Sequence, residues 1–383
     1  MKILLVVSSY LPNLGGLQSV TSALAQELAK QGHDVRVLTQ RYPRTLPARE
    51  IVNDIPVERL LFLVPRLETL RVGRADLFFA ALFYFPVSLA RMTWLLWRWK
   101  PEVVNLHFVG APAIFVLLAA RLFGFPLVVS LHGDDVEGLP HRDSFQRRVL
   151  IRILRRAVRV TACSGYLLKK ACEIEPLCQT KGTVIYNGID LDRIADPVAP
   201  VRRNVFVLMA CARLVPKKGF DVLLAALAQL PKSRAFTLHL IGDGPERCAL
   251  ESATQRLGVT EAVKFFGWLE RTAIVREMQT CDLFLIPSRQ EPFGMVALEA
   301  MAAGKPILAT CVGGLPEVLA DADALLVPPE DVNALARGIQ EMQARLAADP
   351  SFGARNRAVA ARFSLSRMVE AYARVYTECL GQP

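Results

Sequence analysis

The sequence lacks the cysteine patterns of disulfide-rich and zinc-binding proteins. Its 383 residues contain eight cysteines, and none of them forms a CxxC pair. Most lie in apolar runs, where cysteine usually acts as a small buried hydrophobic residue. The sequence also has no Asn-x-Ser/Thr glycosylation site. Together these absences predict a protein of a reducing, cytoplasmic compartment.

Long apolar segments are scarce as well. The first residues, MKILLVVSSYLPN, contain one lysine and a short apolar run, which predicts a first β-strand and not a signal peptide. The longest apolar run extends from Leu77 to Ala90 and is interrupted by Arg91. Because a membrane-spanning helix needs about 20 residues, we expect the chain to be soluble.

The charge is unevenly distributed along the chain. Hydrophobic residues make up 52% and charged residues 21%, a composition that excludes intrinsic disorder. Residues 1–200 carry 25 Lys/Arg and 17 Asp/Glu, a net charge of +8, whereas residues 201–383 carry 21 and 19, a net charge of +2. The basic first half indicates an anionic partner, which could be a nucleic acid, a phosphorylated substrate or a membrane surface.

Two α/β domains follow one another in the predicted secondary structure. Short β-branched runs alternate with amphipathic stretches, and the pattern breaks near residue 195 before it restarts. This alternation predicts parallel sheets covered by helices on both faces. We therefore expect domains at residues 1–195 and 196–363, with an amphipathic helix at 364–383. The predicted strands are 2–8, 34–39, 102–108, 126–132, 159–164 and 182–187 in the first domain, and 204–211, 236–242, 263–267, 282–287, 306–310 and 324–328 in the second.

The loops that follow the strands contain the candidate binding residues, because ligands of open α/β sheets bind outside the carboxyl ends of the strands. Gly15 and Gly16 precede the first helix, where they either allow the backbone to approach an anionic ligand or form a tight turn with positive φ. In the second domain, Arg213 and Lys218 precede a helix. They either neutralise a diphosphate or form a solvated basic turn.

Two glutamates, Glu291 and Glu299, lie eight residues apart in SRQEPFGMVALEA. Glu291 follows the predicted strand 282–287, and a helix is predicted to start near Phe293-Gly294, so that its free backbone N–H groups face the site. Carboxylates accept hydrogen bonds from the hydroxyls of a sugar or a ribose. The alternative is that Glu299 is an ordinary exposed glutamate of the helix.

Taken together, these motifs resemble the retaining GT-B glycosyltransferases of family 4 (glycosyl transferases group 1). The resemblance rests on EPFG and LEA around Glu291 and Glu299, on GKP and GGLPE after them, and on SLHGDD, YNGID, ARLVPKKG, IGDGPE and FFGWL before them. All occur in the family's order. The resemblance implies an α/β GT-B fold of two Rossmann-like domains that face a central cleft, with the last helix crossing back to the first domain.

The resemblance also implies a site for a nucleoside-diphosphate sugar, mainly on the second domain. Arg213 and Lys218 would hold the diphosphate, Glu291 would lie beside the transferred sugar, and Glu299 would bind the ribose. Further donor contacts would come from the amides of Phe293, Gly294 and Met295, from Gly267 and Trp268 beside the base, and from Gly15 and Gly16 near the phosphates.

Three residues of the first domain complete the candidate site. His132 matches the family's histidine near the reacting carbon, and we expect it to hydrogen bond to a sugar hydroxyl or a backbone carbonyl. Metal ligation is disfavoured because no carboxylate–histidine cluster with ligand spacing accompanies it. His107 and Asp134 are acceptor-side candidates, although Asp134 and Asp135 could instead form a helix-capping turn.

The reaction implied by the resemblance is a retaining hexosyl transfer that needs neither a metal nor a cofactor. The donor would be a UDP- or GDP-linked sugar, and the acceptor a lipid-linked or cell-envelope polysaccharide molecule. Cationic side chains and helix amides would stabilise the leaving diphosphate. The leaving phosphate would help to deprotonate the acceptor, so no protein base is assigned.

Three other classes of protein compete with this hypothesis. A GT-B nucleotide-sugar epimerase or hydrolase would share the fold and would release an epimer or free sugar without an acceptor. A dinucleotide oxidoreductase is disfavoured because no GxGxxG follows the first strand. A nucleic-acid binder would explain the net charge of +10, but no recognised nucleic-acid module is present.

A membrane surface is a further candidate partner. The segment 77–99 is apolar and contains Trp94, Trp97 and Trp99, which suit a lipid interface. We hypothesise that the first domain docks on anionic lipid at the inner face of the cell membrane; the alternative is a buried helix with solvated arginines. Nearby basic residues are Arg74, Arg91, Arg98, Lys100, Arg142, Arg147, Arg148, Arg152, Arg155, Arg156 and Arg159.

Overall fold

The structure, a computed structural model, describes residues 1–12, 15–71, 73–138, 144–192, 194, 205–231 and 235–381. Its residues form two compact units. The N-terminal unit comprises Met1–Gly188 together with Leu365–Pro383, and the C-terminal unit comprises Ile189–Ser364. The predicted boundary between residues 195 and 196 lies outside the described residues, as does Arg142.

An eight-stranded sheet with helices on both faces forms the N-terminal unit. Its elements are β1 (Lys2–Val7), α1 (Gly16–Lys30), β2 (Asp34–Gln40), β3 (Arg49–Val52), β4 (Ile55–Leu60), α2 (Leu67–Arg71), α3 (Ala75–Trp99), β5 (Val103–His107), α4 (Ala113–Phe123), β6 (Leu127–Leu131), α5 (Ser144–Arg156), β7 (Arg159–Ala162), α6 (Gly165–Ile174), α7 (Cys178–Lys181) and β8 (Gly182–Val184). The strand order is β3-β4-β2-β1-β5-β6-β7-β8. All pairs are parallel except β3 with β4. Residues 3–7 of β1 are fully buried, as expected of a central strand covered on both faces.

A six-stranded parallel sheet forms the C-terminal unit. Its elements are β9 (Phe206–Cys211), α8 (Phe220–Ala228), β10 (Phe236–Ile241), α9 (Arg247–Leu257), β11 (Val263–Gly267), α10 (Arg271–Thr280), β12 (Leu283–Ile286), α11 (Met295–Ala302), β13 (Ile307–Thr310), α12 (Leu315–Val318), β14 (Ala324–Val327), α13 (Val332–Ala348) and α14 (Asn356–Ala360). The strand order is β11-β10-β9-β12-β13-β14. Leucines of α8 and α13 pack with those of β9, β10 and β12 in one apolar cluster.

The last helix, α15 (Leu365–Leu380), belongs to the N-terminal unit. It packs against α1 and β5. The side-chain amide of Asn105 on β5 donates a hydrogen bond to the hydroxyl of Tyr376 at 2.7 Å, inside the core. Because a buried amide without a partner costs free energy, this bond fixes the rotation of α15 on the sheet.

Each strand predicted from the sequence is found, and the predicted fold of two Rossmann-like α/β domains is confirmed. The antiparallel hairpin of β3 and β4 was missed. Its turn is Asn53-Asp54, with φ of 50° and 63°, and such a two-residue turn of Asn and Asp is a recognised hairpin signal.

Helix α3 is longer than the apolar run that predicts it. It has 25 residues and continues through Arg91, because a charged residue ends an apolar run without breaking a helix. Among the described residues, it is the one helix that is long and apolar enough to cross a membrane. The expectation that this segment is too short to span a membrane is therefore wrong, because the helix is longer than the apolar run on which the expectation was based.

Trp99 corrects a second expectation about this segment. We predicted it at a lipid interface together with Trp94 and Trp97, but it is buried and donates its indole N–H to Asp34 Oδ2 at 2.8 Å. Trp94 and Trp97 are exposed. The difference arises because Trp99 lies in the last turn of α3, on the side where it contacts Asp34 and Arg36 of β2.

Candidate active site

The loops that carry the donor-site candidates begin at one edge of the sheet in the C-terminal unit. Strands β9 and β12 are adjacent and parallel, with Met209 opposite Phe284. The chain leaves both strands at their carboxyl ends, into residues 212–219 and 287–294. This is the edge at which ligands of parallel α/β sheets bind.

Lys218 and Glu291 are joined across these two loops by an ion pair. Lys218 Nζ lies 2.5 Å from Glu291 Oε2, and both side chains are largely buried. The close approach of the two loops depends on Gly219, which has a φ of 66°. Any other residue at this position would place its Cβ atom 2.1 Å from the carbonyl oxygen of Pro287. Two residues predicted as catalytic are therefore in direct contact and neutralise each other.

A second loop packs tightly against the backbone of Glu291. The Gly314 N–H donates to the Glu291 carbonyl at 3.0 Å. Gly313 has a φ of 56°, and an added Cβ would lie 2.0 Å from the same carbonyl oxygen. The GGLPE motif thus fixes the main chain that carries Glu291.

Helix α11 begins directly beside this carboxylate. Gly294 precedes it with a φ of 101°, and Met295 is its first residue. Phe293 is buried, so its ring anchors the entry to the helix. No acidic residue lies in the first turn, and the positive end of the helix dipole is therefore available to an anion.

Glu299, one turn further along α11, is paired with Arg271. The two side chains approach to 3.1 Å. Burial raises the pKa of the Glu299 carboxyl, and the charge of Arg271 opposes that rise. Glu299 is thus a partly buried, partnered carboxylate and not the exposed helical glutamate of the alternative interpretation.

Cys211 ends β9 beside these charged groups. Burial, together with the neighbouring Glu299, raises the pKa of its thiol to about 12, and Lys218 opposes that rise. The thiol is therefore protonated at neutral pH and is a poor nucleophile. It contributes packing to a small cavity that Lys218 and Glu291 also line.

The remaining donor candidates lie on the surface of the same unit. The Arg213 side chain is exposed after β9, and no ion pair holds it among the described residues. Gly267 ends β11 with a φ of 69°, and the Trp268 ring after it is 62% exposed. Since β11, β10 and β9 are successive parallel strands, these residues begin at the edge that carries Lys218.

In the N-terminal unit, His107 and His132 form a stacked pair. His107 Nδ1 lies 3.1 Å from His132 Nε2, and the ring centroids are 5.3 Å apart. Burial lowers the pKa of His132 to about 4 and that of His107 well below its usual value, with the neighbouring His132 adding to the latter. Both imidazoles are therefore neutral at physiological pH.

Asp135 organises the loop that presents His132. Its carboxylate is fully buried and accepts hydrogen bonds from the backbone N–H groups of Gly133 at 2.8 Å and His132 at 3.2 Å. Asp134 is exposed in the same turn. Asp135 therefore stabilises a turn, and the next described helix begins only at Ser144, so the structure does not confirm a helix cap at this acidic pair.

The Gly15-Gly16 loop follows β1, which lies next to β5 in the same sheet. Gly15 is extended, with a φ of 173°, and helix α1 starts at Gly16. Neither glycine lies in the left-handed region, so the interpretation as a tight left-handed turn does not hold. The first helix begins there without an acidic residue in its first turn.

An apolar cavity of about 310 Å³ opens near the carboxyl ends of β4 and β5. Phe62 and Phe145 contribute aromatic surface, and Val109 and Gly110 contribute the loop that follows His107. This cavity lies in the N-terminal unit, where the acceptor side was predicted.

Two features of the site give no signal in the sequence, and a third, Asp135, gives an ambiguous one. Arg271 pairs with Glu299 from helix α10, and no spacing rule connects residues that are distant in sequence. Asp135 was considered, but its role depends on backbone geometry. Phe62 and Phe145 line the apolar cavity, and both stand in ordinary amphipathic stretches that give no signal of a pocket.

Comparisons with known proteins agree on the family. The family model described as glycosyl transferases group 1 matches residues 195–347, and the model described as glycosyltransferase family 4 matches residues 14–193. The glycogen synthase of Mycobacterium tuberculosis is 29% identical over 391 residues, covering 96% of this chain and 90% of that protein.

Solved structures show the same architecture. Sucrose-phosphate synthase from Thermosynechococcus elongatus has a TM-score of 0.83 at 22% identity, with 99% of each chain covered. HepE from Anabaena, in complex with UDP, has a TM-score of 0.78 at 24% identity, covering 99% of this chain and 100% of that one. Both similarities show a shared fold and no more than that. Since the two family models together span most of its length, the chain belongs to the family 4, group 1 glycosyltransferases and has their GT-B fold of two Rossmann-like domains.

Proposed function

We propose that the protein transfers a hexosyl group from a UDP- or GDP-linked sugar, with retention of configuration and without a metal ion, to a lipid-linked or cell-envelope polysaccharide acceptor. The observation that carries this proposal is the cluster of Lys218, Glu291 and the start of α11 at one edge of the sheet. The likeness to HepE, solved with UDP, supports a nucleoside diphosphate as donor.

The donor phosphates are proposed to bind at Lys218, Arg213 and the amides of Phe293, Gly294 and Met295. Negative charge accumulates on the diphosphate as the bond to the anomeric carbon breaks. Positive groups fixed in position stabilise that charge without reorganisation. In the free protein Lys218 is neutralised by Glu291, so the donor competes with this carboxylate for the ammonium group.

Glu291 is then released toward the transferred sugar, where it can accept hydrogen bonds from the sugar hydroxyls. Glu299 is proposed to accept the ribose hydroxyls in the same way. Burial raises the pKa of this carboxyl and its partner Arg271 opposes the rise, so Arg271 favours the ionised form, which is the stronger acceptor. Gly267 and Trp268 are proposed to border the base.

The acceptor is proposed to bind on the N-terminal unit, near His132 and His107. A neutral His132 can donate one hydrogen bond to a hydroxyl, or accept one from it, without adding positive charge. The apolar cavity beside Val109 and Gly110 suits a hydrophobic part of the acceptor, which supports a lipid-linked molecule. His107 is proposed to orient His132, and Asp134 remains an acceptor-side candidate. Gly15 and Gly16 are proposed to approach the phosphates of the donor.

A peripheral location on the cytoplasmic face of the membrane is proposed on the strength of α3. Its exposed side carries large apolar residues: Phe79, Leu82, Phe83, Val87, Trp94 and Trp97. Exposed arginines accompany them at positions 74, 91 and 98. Apolar side chains flanked by cations favour the interface of an anionic bilayer.

The test is a donor and product assay with the purified chain. UDP or GDP release from the matching sugar nucleotides is measured with membrane lipid extract as acceptor, in the presence of a chelator. NMR of the product then gives the anomeric configuration. Acceptor-dependent release with an unchanged anomer supports the proposal, whereas an inverted anomer or loss of turnover with the chelator contradicts it. Release of free sugar or an epimer without acceptor would favour the hydrolase or epimerase alternative.

A further inference from the structure

A groove of about 490 Å³ lies in the N-terminal unit between the end of α3 and strands β2, β3 and β4. It is separate from the apolar cavity and shares no lining residue with it. Arginine and tryptophan dominate its charged and aromatic surface. The charged and aromatic residues of its lining are Arg36, Arg49, Glu50, Glu58, Trp94, Arg98 and Trp99.

Both acids of the groove are neutralised by arginines. Glu58 accepts two hydrogen bonds from Arg49, at 3.1 and 3.3 Å. Glu50 is paired with the buried guanidinium of Arg59. Neither carboxylate therefore adds a free negative charge to the groove.

Two arginines remain without a carboxylate partner among the described residues. The Arg36 guanidinium lies over the ring of Trp99 at 4.5 Å, and that of Arg98 lies over Trp94 at 5.5 Å. Arg36 Nε is buried and lacks a hydrogen-bond partner in the described part of the chain. A guanidinium that lies over an aromatic ring keeps its N–H donors in its own plane, where an oxyanion can accept hydrogen bonds from them.

The aromatic platform is held in place. The indole N–H of Trp99 is bonded to Asp34, and the guanidinium of Arg49 also lies 5.5 Å from the Trp94 ring. Fixed rings restrict the rotamers of the arginines stacked on them, so less side-chain entropy is lost when an anion binds.

We infer that this groove binds a phosphate group through Arg36 and Arg98, as a site distinct from the donor site. This goes beyond the transferase activity proposed above and does not depend on it. The phosphate is either that of a soluble ion or that of a lipid headgroup. A lipid source is favoured by position, because Trp94 lines the groove and also belongs to the exposed apolar side of α3.

The test follows the indole N–H resonances of the four tryptophans in a ¹⁵N-labelled chain. Inorganic phosphate is titrated at constant ionic strength against chloride. Trp94 and Trp99 are expected to shift, whereas Trp97, outside the groove lining, is expected not to. Trp268 lies in the other unit and reports separately on phosphate at the donor site. The readout is therefore independent of enzyme activity.

Three variants distinguish phosphate binding at the groove from a general effect of removing one positive charge. Arg98→Gln changes an exposed residue of the last helical turn and is expected to raise the phosphate midpoint for Trp94 and Trp99 about tenfold, as the loss of one charged hydrogen bond predicts. Arg36→Gln is expected to do the same. Arg121→Gln, an exposed arginine of α4 outside the groove, is the matched control and is expected to leave the titration unchanged.

Vesicles distinguish the two sources of phosphate. If phosphatidylglycerol vesicles, but not phosphatidylcholine vesicles, abolish the response of Trp99 to inorganic phosphate, the site holds a lipid headgroup. If neither kind of vesicle changes the response of Trp99 to inorganic phosphate, the site holds a soluble phosphate. Unshifted Trp94 and Trp99 resonances in the wild type, or an Arg98→Gln titration equal to that of Arg121→Gln, would overturn the inference.

Discussion

At the scale of single residues, the donor-site candidates are held by internal ion pairs. Lys218 pairs with Glu291, and Glu299 pairs with Arg271. Each pair places opposite charges where their mutual attraction offsets the cost of removing them from water. We infer that donor binding separates Lys218 from Glu291, so that the lysine binds phosphate and the glutamate faces sugar hydroxyls, whereas Arg271 stays paired with Glu299.

Lys218→Met is expected to leave Glu291 buried without its cation. The free energy of unfolding should fall by about 1–3 kcal/mol, and nucleotide binding should be lost. The double variant Lys218→Met/Glu291→Gln should recover most of the stability but not the binding. Urea unfolding and nucleotide titration measure the two effects. A double variant as unstable as Lys218→Met would show that the ion pair is not the cause.

The histidine pair predicts a pH dependence of stability. Because the pKa of His132 in the folded state is about 4, below its ordinary 6.5, the unfolded chain binds a proton that the folded chain does not. The resulting stability is complete above pH 6.5 and is lost as the pH falls toward 4, by up to about 3 kcal/mol for this histidine. His107 acts in the same direction.

The measurement is urea unfolding at pH 7 and pH 5 for the wild type and for His107→Gln/His132→Gln. The double variant should lose less stability between the two pH values than the wild type. Equal losses would mean that the imidazoles are solvated and not buried as a neutral pair.

At the scale of elements, the glycine loops position the catalytic candidates. Gly313→Ala introduces a Cβ that would lie 2.0 Å from the Glu291 carbonyl oxygen, at a φ of 56°. Gly258→Ala, after α9, has a similar φ of 68° but meets nothing within 4 Å. The two variants share the cost of a left-handed alanine and differ in the close contact.

Gly313→Ala is therefore expected to be less stable than Gly258→Ala by about 1–3 kcal/mol. It should also bind nucleotide more weakly, because the main chain of Glu291 must move. Chemical denaturation and nucleotide titration check both points. Equal stabilities of the two variants would contradict the tight packing of the GGLPE loop.

Helix α3 gives a prediction about membranes. Phe83→Ser/Trp97→Ser removes two exposed apolar residues of its outer side and is expected to weaken binding to anionic vesicles about tenfold or more, since each buried large side chain contributes about 1.5–3 kcal/mol. Leu122→Ser, an exposed residue of α4, is the control. Sedimentation with vesicles measures the difference, and equal binding by both variants would exclude α3 as the docking surface.

At the scale of the whole molecule, the sequence predicts the strands and the family well because parallel strands are nearly continuous apolar runs and the motifs follow them directly. It predicts Lys218 and Glu291 as site residues but not their contact, which depends on Gly219 and on the pairing of β9 with β12. It does not predict Arg271, because tertiary ion pairs leave no periodic signal. It misjudged Trp99, since composition does not reveal which side of a helix faces the sheet.

The most direct test of the central claim is a thermal-shift panel of UDP, GDP, ADP and their common sugars on the wild type, Glu299→Ala and Arg213→Ala. One nucleotide should raise the melting temperature of the wild type, and both substitutions should abolish that rise. Such a result would identify the base and assign the donor to the C-terminal unit. No shift with any nucleotide, or a shift that survives both substitutions, would contradict the proposed donor site.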